Sequence, residues 1–371
     1  MVNFSRFFKM NFSIKTAGGI LSQLNILFFK IQKKILQSKY IIPYQIQELE
    51  LGNYKTKAQY SRKEIYAYGR NYSCLHPIYD RIETREFEQR FVYEVKDVVV
   101  DTFTGNVFDS SSSLILESSS WSESWHISGR VPGVNSKPRF KKYMQHEQSN
   151  SIVLPSNSFF HWVNEDLAPF IFLLSTRVGK NILINNKAPG YVLDFLSYHG
   201  IQYKKVERFI KLSNYEFVSK IKNNSWPDPA DIRMLRDFFL KAAPVNYYEN
   251  SSKIYISRLK STRSPIFEKS LCQFLSELGW EVLYTEEMKL ADQVIKFSGA
   301  QVIAGVQGAG LINAVWSNPA CSLVEIARTD WRYTPVIARL SAALGIKFQS
   351  IGYTSDDLNC LNSIKIQLSS Y

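Results

Sequence analysis

From residue 91 onward, short apolar β-branched runs alternate with stretches whose apolar residues recur at helical spacing. FVYEVKDVVV from Phe91, a Thr104-Gly105-Asn106 turn and a short run to Phe108 predict a β-hairpin, with Leu114 to Glu117 as a further short strand. FFHWVNEDLAPFIFLL, from Phe159 to Leu174, predicts a helix entered near Ser158 and kinked or interrupted by Pro169. Strand Asn181 to Ile184 precedes helix Tyr191 to His199, closed by Gly200. Candidate strands Tyr203 to Val206 and Tyr215 to Val218 follow, then a helix opened by Asp228-Pro229 and running to about Ala243.

The alternation then repeats. Strand Lys253 to Ser257 leads to a helix from Ser264-Pro265 to Gly279. Strand Trp280 to Tyr284, helix Met288 to Phe297 and strand Gln301 to Val306 come next. A helix over Leu311 to Trp316 is ended by Asn318-Pro319 and followed by strand Cys321 to Ile326. Helix Thr334 to Leu344, capped by Gly345, and strand Phe348 to Ile351 complete the pattern. Strands alternating with helices imply a parallel sheet covered on both faces. Two such halves make an α/β protein with its ligand at the carboxyl ends of the strands. The boundaries read as 1–60, 61–245 and 246–371.

The first part differs in character. Residues 1–47 carry seven Lys or Arg and no Asp or Glu. Their apolar stretch Ala17 to Phe29 is too short and too polar to span a bilayer. Ile20, Leu24, Leu27, Phe28, Ile31 and Ile35 share a helical face beside Lys30, Lys33 and Lys34. That pattern fits an amphipathic helix on anionic lipid and fits equally a helix docked on the protein's own core. Residues 48–82 show no assignable pattern, and Trp121 to Asn150 is basic, polar and loop-like.

Composition narrows the function classes. At 371 residues, two domains are expected, and 45% hydrophobic with 21% charged residues is ordinary for a globular chain. The net charge of +12 favours an anionic partner. No nucleic-acid-binding fingerprint is present, so a membrane surface or a phosphorylated substrate is expected instead. Cys74, Cys272, Cys321 and Cys360 are far apart, and the five histidines are scattered. Neither set has metal-ligand spacing, and the thiols read as reduced in a cytosolic chain.

Three groups of residues could carry chemistry. Arg258, Lys260 and Arg263 follow a strand's carboxyl end, with no acid between Ser251 and Phe267. They can grip a phosphate, or they are a solvated basic loop. Gln307, Gly308, Ala309 and Gly310 form a small-residue turn whose amides can cradle a phosphate, with Asn313 just beyond and Glu325 at the next strand's end as a ribose acceptor. Spacing alone favours glycines that merely turn the chain and leaves Glu325 facing either ribose or water. His161, Glu165 and Asp166 lie near a helix start, where a general base, or simply acids complementing the helix dipole, can sit. The chain contains no D-x-D pair, so no metal-bridged diphosphate is expected.

Together, FFHWVNEDLAPF, YISRLKSTRSPIFEKSLCQFLSELGWEVL and LADQVIKFSGAQVIAGVQGAGLINAVWSNPACSLVEI resemble glycosyltransferase family 61. This family includes bacterial capsular-polysaccharide transferases and eukaryotic protein and xylan transferases. VYEVKDVVVDTFTGNVFDSSSSLILESSSW is similar to the family's amino-terminal part, so the resemblance covers roughly residues 90–350. It implies a GT-B-like architecture of two Rossmann-like domains facing a cleft, with 61–245 on the acceptor side and 246–371 binding the nucleotide-sugar. It also implies inverting, metal-independent transfer from a nucleotide-sugar, a UDP-sugar above others, to a saccharide or lipid-linked saccharide. Arg258, helped by Lys260 and Arg263, would hold the diphosphate with Gly308, Ala309 and Gly310. Asn313 belongs to the same donor set, and Glu325 would face the ribose. Glu165, ahead of Asp166 and with His161, would activate the acceptor.

Two departures matter. The family usually has His before Gly-Ala-Gly, where this chain has Gln307, and its arginine is often doubled, where Leu259 follows Arg258. Gln307 can still donate a hydrogen bond but cannot hold a charge or shuttle a proton. The expected function is surface-polysaccharide synthesis in the cytoplasm, peripheral on the inner membrane face through residues 1–47. A non-catalytic nucleotide-sugar- or glycan-binding scaffold of the same pathway is the alternative. A sulfotransferase-like enzyme ranks lower, because no Gly-rich loop with Lys stands early in the chain.

Overall fold

The computed structural model describes residues 54–55, 61–64, 72–76, 81–85, 90–110, 114–120, 145–147, 150–177, 179–220, 227–242, 252–329, 334–354 and 359–371. The amphipathic helix expected within residues 1–47 lies outside them, as does most of the polar loop expected over residues 121–150. The strands that frame the molecule are β1 Phe91–Asp101, β2 Ser151–Leu154, β3 Asn181–Asn185, β4 Lys204–Val206, β5 Phe209–Val218, β6 Ser252–Ile256, β7 Glu281–Leu283, β8 Ala300–Val306, β9 Ser322–Arg328 and β10 Lys347–Tyr353. The helices are α1 (continuous over Phe159–His161, Trp162–Asp166 and Leu167–Thr176), α2 Gly190–Tyr198, α3 Pro229–Ala242, α4 Glu268–Glu277, α5 Leu290–Ser298, α6 Val336–Leu344 and α7 Asn359–Ser369.

The carboxyl-terminal half is a five-stranded sheet in the order β7-β6-β8-β9-β10, with every pair parallel. Both faces are covered, so β8 and β9 are nearly continuous apolar runs rather than alternating ones. On one face Tyr255, Val302, Ala304, Val324 and Ile326 meet Leu271 and Leu275 of α4 and Leu361, Ile364 and Leu368 of α7. The residues after Thr354, open in the sequence, thus return to this half's own sheet. On the other face Ile254, Ile303 and Leu323 join a cluster that includes Trp162, Phe195 and Phe239 of the first half. The Phe239 and Trp316 rings lie 4.5 Å apart in it. One apolar cluster therefore runs across the expected boundary at 245–246.

The chain is α/β with parallel sheets, as expected, but the first half is built differently. Among the described residues, three strands, β4-β3-β2, form an all-parallel sheet there. Its larger sheet, seven-stranded among the described residues, is mixed and centred on the antiparallel pair β1 and β5. Mid-strand, both β1 and β5 carry exposed positions among buried ones, the pattern of a sheet with one face toward water. The hairpin read from Phe91 to Phe108 is present, while β5 begins well before the Tyr215 expected. The buried guanidinium of Arg90 pairs with Asp231 and lies 3.7 Å from Asp228, which pins the start of α3 to this sheet.

Two helices differ in type from the expectation, each for a physical reason. Pro169 does not break α1. Its ring crowds the carbonyl four residues back, and the strain is taken up by a π turn over Trp162–Asp166. The Leu167 N–H accordingly donates to the Trp162 carbonyl, five residues back. The run after Gly308 is a 3-10 helix, Ala309–Trp316, not an α-helix. A 3-10 helix rises about 2.0 Å per residue against about 1.5 Å for an α-helix, which suits a short return along a strand of β8's length. Among the described residues no helix is long and apolar enough to cross a membrane.

Candidate functional site

β6 has β7 on one side and β8 on the other, so the chain's path reverses there. A crevice opens at such a switch point, outside the carboxyl ends of the strands. A cavity of about 500 Å³ occupies this position. Ile256, Val306 and Leu311 floor it, and Arg258, Ser261, Arg263 and Gly308 to Gly310 form one wall. Thr285, Glu286 and Met288, just past β7, form a second. Phe159, Gly190, Tyr191 and Asp194 face them from the first half.

Arg258 is held from three directions. Its backbone N–H donates to Glu268 Oε1 at 2.7 Å, and Tyr255 donates its hydroxyl to Glu268 Oε2 at 2.9 Å. Its Nη1 donates to the Gln307 carbonyl and its Nη2 to Ser261 Oγ at 3.1 Å. Burial first, and then the neighbouring Arg263, hold its pKa below the ordinary guanidinium value. Among the described residues no carboxylate is within ion-pair distance of Arg258 or Arg263. A desolvated cation beside a second cation gains most from a bound anion. Lys260 also lines the cavity, but its ammonium pairs with Glu287 and sits 4.9 Å over the Tyr284 ring.

The loop glycines are needed for close approach and not for turning. Gly308 is extended, and neither it nor Gly310 has a left-handed φ. A Cβ on Gly308 would lie 2.8 Å from Arg258 Nη1, and one on Gly310 would lie 2.9 Å from Ile256 Cγ2. Ile256 is buried and β-branched, so Gly310→Ala is expected to destabilise the fold by about 1–3 kcal/mol. Gly308→Ala meets only the far end of a long side chain. It should leave the denaturation midpoint nearly unchanged while displacing the guanidinium. Urea titrations of the two variants check this contrast.

The other expected donor residues lie off the lining. Gln307 Nε2 donates to the Thr334 carbonyl at 3.0 Å, so only its backbone oxygen meets Arg258. Asn313 is fully buried and donates to Gln293 Oε1 at 2.8 Å and the Gly310 carbonyl at 3.1 Å. It also accepts from Trp316 Nε1 at 3.1 Å, and so fastens the loop from behind. Glu325 is 0% exposed, opposite Gly305 and Ser350 within the sheet. The apolar run CSLVEI does not end the strand: β9 continues to Arg328, which leaves Glu325 inside it rather than at its end.

His161, Glu165 and Asp166 come together, but none of them is on the cavity lining. His161 Nδ1 is 2.7 Å from Glu165 Oε1. Asp166 is wholly buried and pairs with Lys220, whose ammonium also donates to the Thr104 carbonyl at 2.8 Å. Burial opposes charge on Glu165, yet the His161 hydrogen bond and charge outweigh it and lower its pKa. Burial likewise opposes charge on His161, and Glu165 outweighs it, so His161 is raised. Burial pushes Asp166 up to about 6 against the pull of Lys220.

The signs set a pH dependence. A raised His161 stabilises fully below its unfolded value of 6.5, and that contribution is lost as pH climbs through the folded value. Asp166, raised from 3.8 to about 6, makes stability fall across that interval as pH rises. Lowered Glu165 acts oppositely: its contribution is present above 4.5 and is lost as pH falls through the folded value. The melting temperature should therefore decline as pH rises past 6.5 through the raised value of His161, and His161→Gln should flatten that slope.

Sequence reasoning missed three acids that the geometry brings forward. Glu268 anchors Arg258, and the acid-free window noted in the sequence ends at Phe267, one residue short of it. Asp194 is the only acid in α2 and is half-buried on the cleft wall, but nothing in its local pattern distinguishes it. Glu286 has the weak signal of following the strand next to β6. Among the described residues no three His, Cys, Asp or Glu side chains gather in a way that would hold a metal ion.

Residues 159–324 match the family model of Glycosyltransferase 61. No curated protein matches the chain. Among solved structures, the Clostridium botulinum CMP N-glycosidase BcmB is similar at 15% identity, over 30% of this chain and 98% of that one, with a TM-score of 0.22. A likeness of that degree bears on neither fold nor activity here. The matched family segment runs from Phe159 on one wall of the cleft, through Arg258 and Gly308 to Gly310 on the other, into β9. Residues 159–324 of this chain therefore belong to glycosyltransferase family 61.

Proposed function

We propose that the chain is an inverting glycosyltransferase whose cleft holds a nucleotide-sugar, a UDP-sugar above others, without a metal. The observation that carries this reading is the pairing of desolvated Arg258 and exposed Arg263 with the Gly308–Gly310 loop at the switch point. Guanidinium groups and backbone amides are the donors that a diphosphate takes. The five-stranded half would be the donor side of a GT-B-like arrangement and the first half the acceptor side.

In the transfer, a carboxylate removes the proton from an acceptor hydroxyl. The hydroxyl oxygen bonds to the anomeric carbon as the bond from that carbon to the diphosphate oxygen breaks, and the electron pair leaves with the nucleoside diphosphate. Arg258, Arg263 and the loop amides stabilise the charge that develops there. Two carboxylates are candidates for the base. Glu165 is committed to His161 and lies off the lining. Asp194 lines the same cleft as Arg258 and Arg263, and that lining position is what supports it as the base.

On the acceptor we take a saccharide or lipid-linked saccharide of surface-polysaccharide synthesis, met at the inner membrane face. Its support is the basic, acid-free sequence of residues 1–47. The non-catalytic reading draws on Gln307, whose side chain is spent on the Thr334 carbonyl. A thermal-shift panel of nucleoside diphosphates and nucleotide-sugars without added metal tests the proposal. A raised midpoint with one nucleotide class is expected. No shift with any of them would overturn the donor cleft.

A further inference from the structure

The cleft has a direction. Its lining draws on the ends of β6, β7 and β8 and on the first half, and on nothing from β9 or β10. A diphosphate over Arg258 and the Gly308–Gly310 loop thus has two ways to extend. With the first half as the acceptor side, the transferred sugar extends toward the wall that carries Asp194. That leaves the turn after β7 for the nucleoside.

This turn is a fixed surface. Gln293, 4% exposed, donates to the carbonyls of Thr285 at 3.0 Å and Met288 at 3.1 Å. Its own Oε1 accepts from Asn313, which also holds Gly310. One buried amide pair therefore ties the turn after β7 to the phosphate-side loop. Of the two acids on the turn, Glu287 pairs with Lys260. Glu286 lines the cleft, and among the described residues it has no cation partner. Asp194 and Glu286 are the carboxylates on the lining among the described residues, one from each half of the chain.

We propose that Glu286 receives the ribose of the nucleotide, its carboxylate accepting hydrogen bonds from the 2′- and 3′-hydroxyls. This takes the place expected for Glu325 and rests on the reading of the cleft as a nucleotide-sugar site. A carboxylate has acceptor sites for both vicinal hydroxyls. A site that bonds a hydroxyl discriminates against the analogue lacking it. The cleft therefore selects ribonucleotides over 2′-deoxyribonucleotides.

Calorimetric titration of the full chain with UDP, GDP, CDP and ADP, each beside its 2′-deoxy counterpart, tests this. The best-bound ribonucleotide should exceed its deoxy form by at least about tenfold, the scale of one charge-assisted hydrogen bond. Glu286→Gln should erase that preference, weakening the ribonucleotide more than the deoxynucleotide, which has only its 3′-hydroxyl bond to lose, and should leave the ligand-free melting temperature unchanged. Glu287→Gln should keep it. Equal binding of the two forms by the wild type, or a preference that survives in Glu286→Gln, overturns the assignment. If diphosphates bind and Arg258→Ala abolishes binding, such a result removes Glu286 alone. If no diphosphate binds, the donor-cleft reading falls with it.

Discussion

Arg258→Ala is expected to eliminate the thermal shift by nucleoside diphosphates and to lower kcat/KM by about 10²–10³-fold. Arg258 is half-buried, its backbone is fixed by Glu268, and two of its nitrogens are already oriented by Gln307 and Ser261. A diphosphate thus meets a cation that is already partly desolvated and held in place before binding. Arg258→Lys should recover little, because an ammonium cannot span the Gln307 carbonyl, Ser261 and a phosphate at once. Arg263→Ala is the comparison. Arg263 is exposed, so its loss should cost only a few-fold and should fade with added salt. A ligand-free melting temperature for each variant separates binding from folding. If Arg258→Ala keeps full affinity in a folded protein, the anion site lies elsewhere.

How legible this site was depends on what fixes each residue. The strands of the carboxyl-terminal half are readable because parallel strands buried on both faces are apolar runs, as β8 and β9 nearly are and as the Ile254–Ile256 end of β6 is. Placing Arg258 just past β6 followed directly. The glycines were readable as a special loop but for the wrong cause. What excludes a side chain at Gly308 and Gly310 is Arg258 and Ile256, some fifty residues earlier in the chain, and no local pattern carries that. Glu325 shows the same limit. Its position at a strand end rested on where an apolar run stops, and the sheet's hydrogen bonding runs on to Arg328.

The first half was less legible, since its antiparallel pair β1 and β5 joins residues more than a hundred apart. The helical spacing from Phe159 marks α1, yet the π turn that absorbs Pro169 is a backbone adjustment rather than a residue pattern. His161 and Glu165 were rightly read as facing each other at i and i+4. Whether that face reaches the cavity is set by tertiary packing, and neither residue is on its lining. Trp162 and Val163 are buried in the core shared by the two halves.

That packing decides the second large effect. Asp194→Asn is expected to lower kcat by about 10²–10⁴-fold, the usual contribution of a general base, while nucleoside diphosphate affinity stays within a few-fold of wild type. An asparagine keeps the side chain's size and removes its ability to take the acceptor's proton. Glu165→Gln should behave oppositely. It replaces a buried carboxylate bonded to His161, so it should lower the melting temperature and weaken the pH dependence above neutrality. Its kcat in folded protein should remain within about tenfold, because a base must reach the hydroxyl it deprotonates and Glu165 is not on the cleft. Single-turnover release of nucleoside diphosphate, with the donor identified by the thermal-shift panel, measures both variants at the chemical step. An inactive, fully folded Glu165→Gln beside an active Asp194→Asn would move the chemistry to α1. The reverse pattern assigns proton transfer to a residue that no sequence motif marks and that only the apposition of α2 with the arginine loop brings into the site.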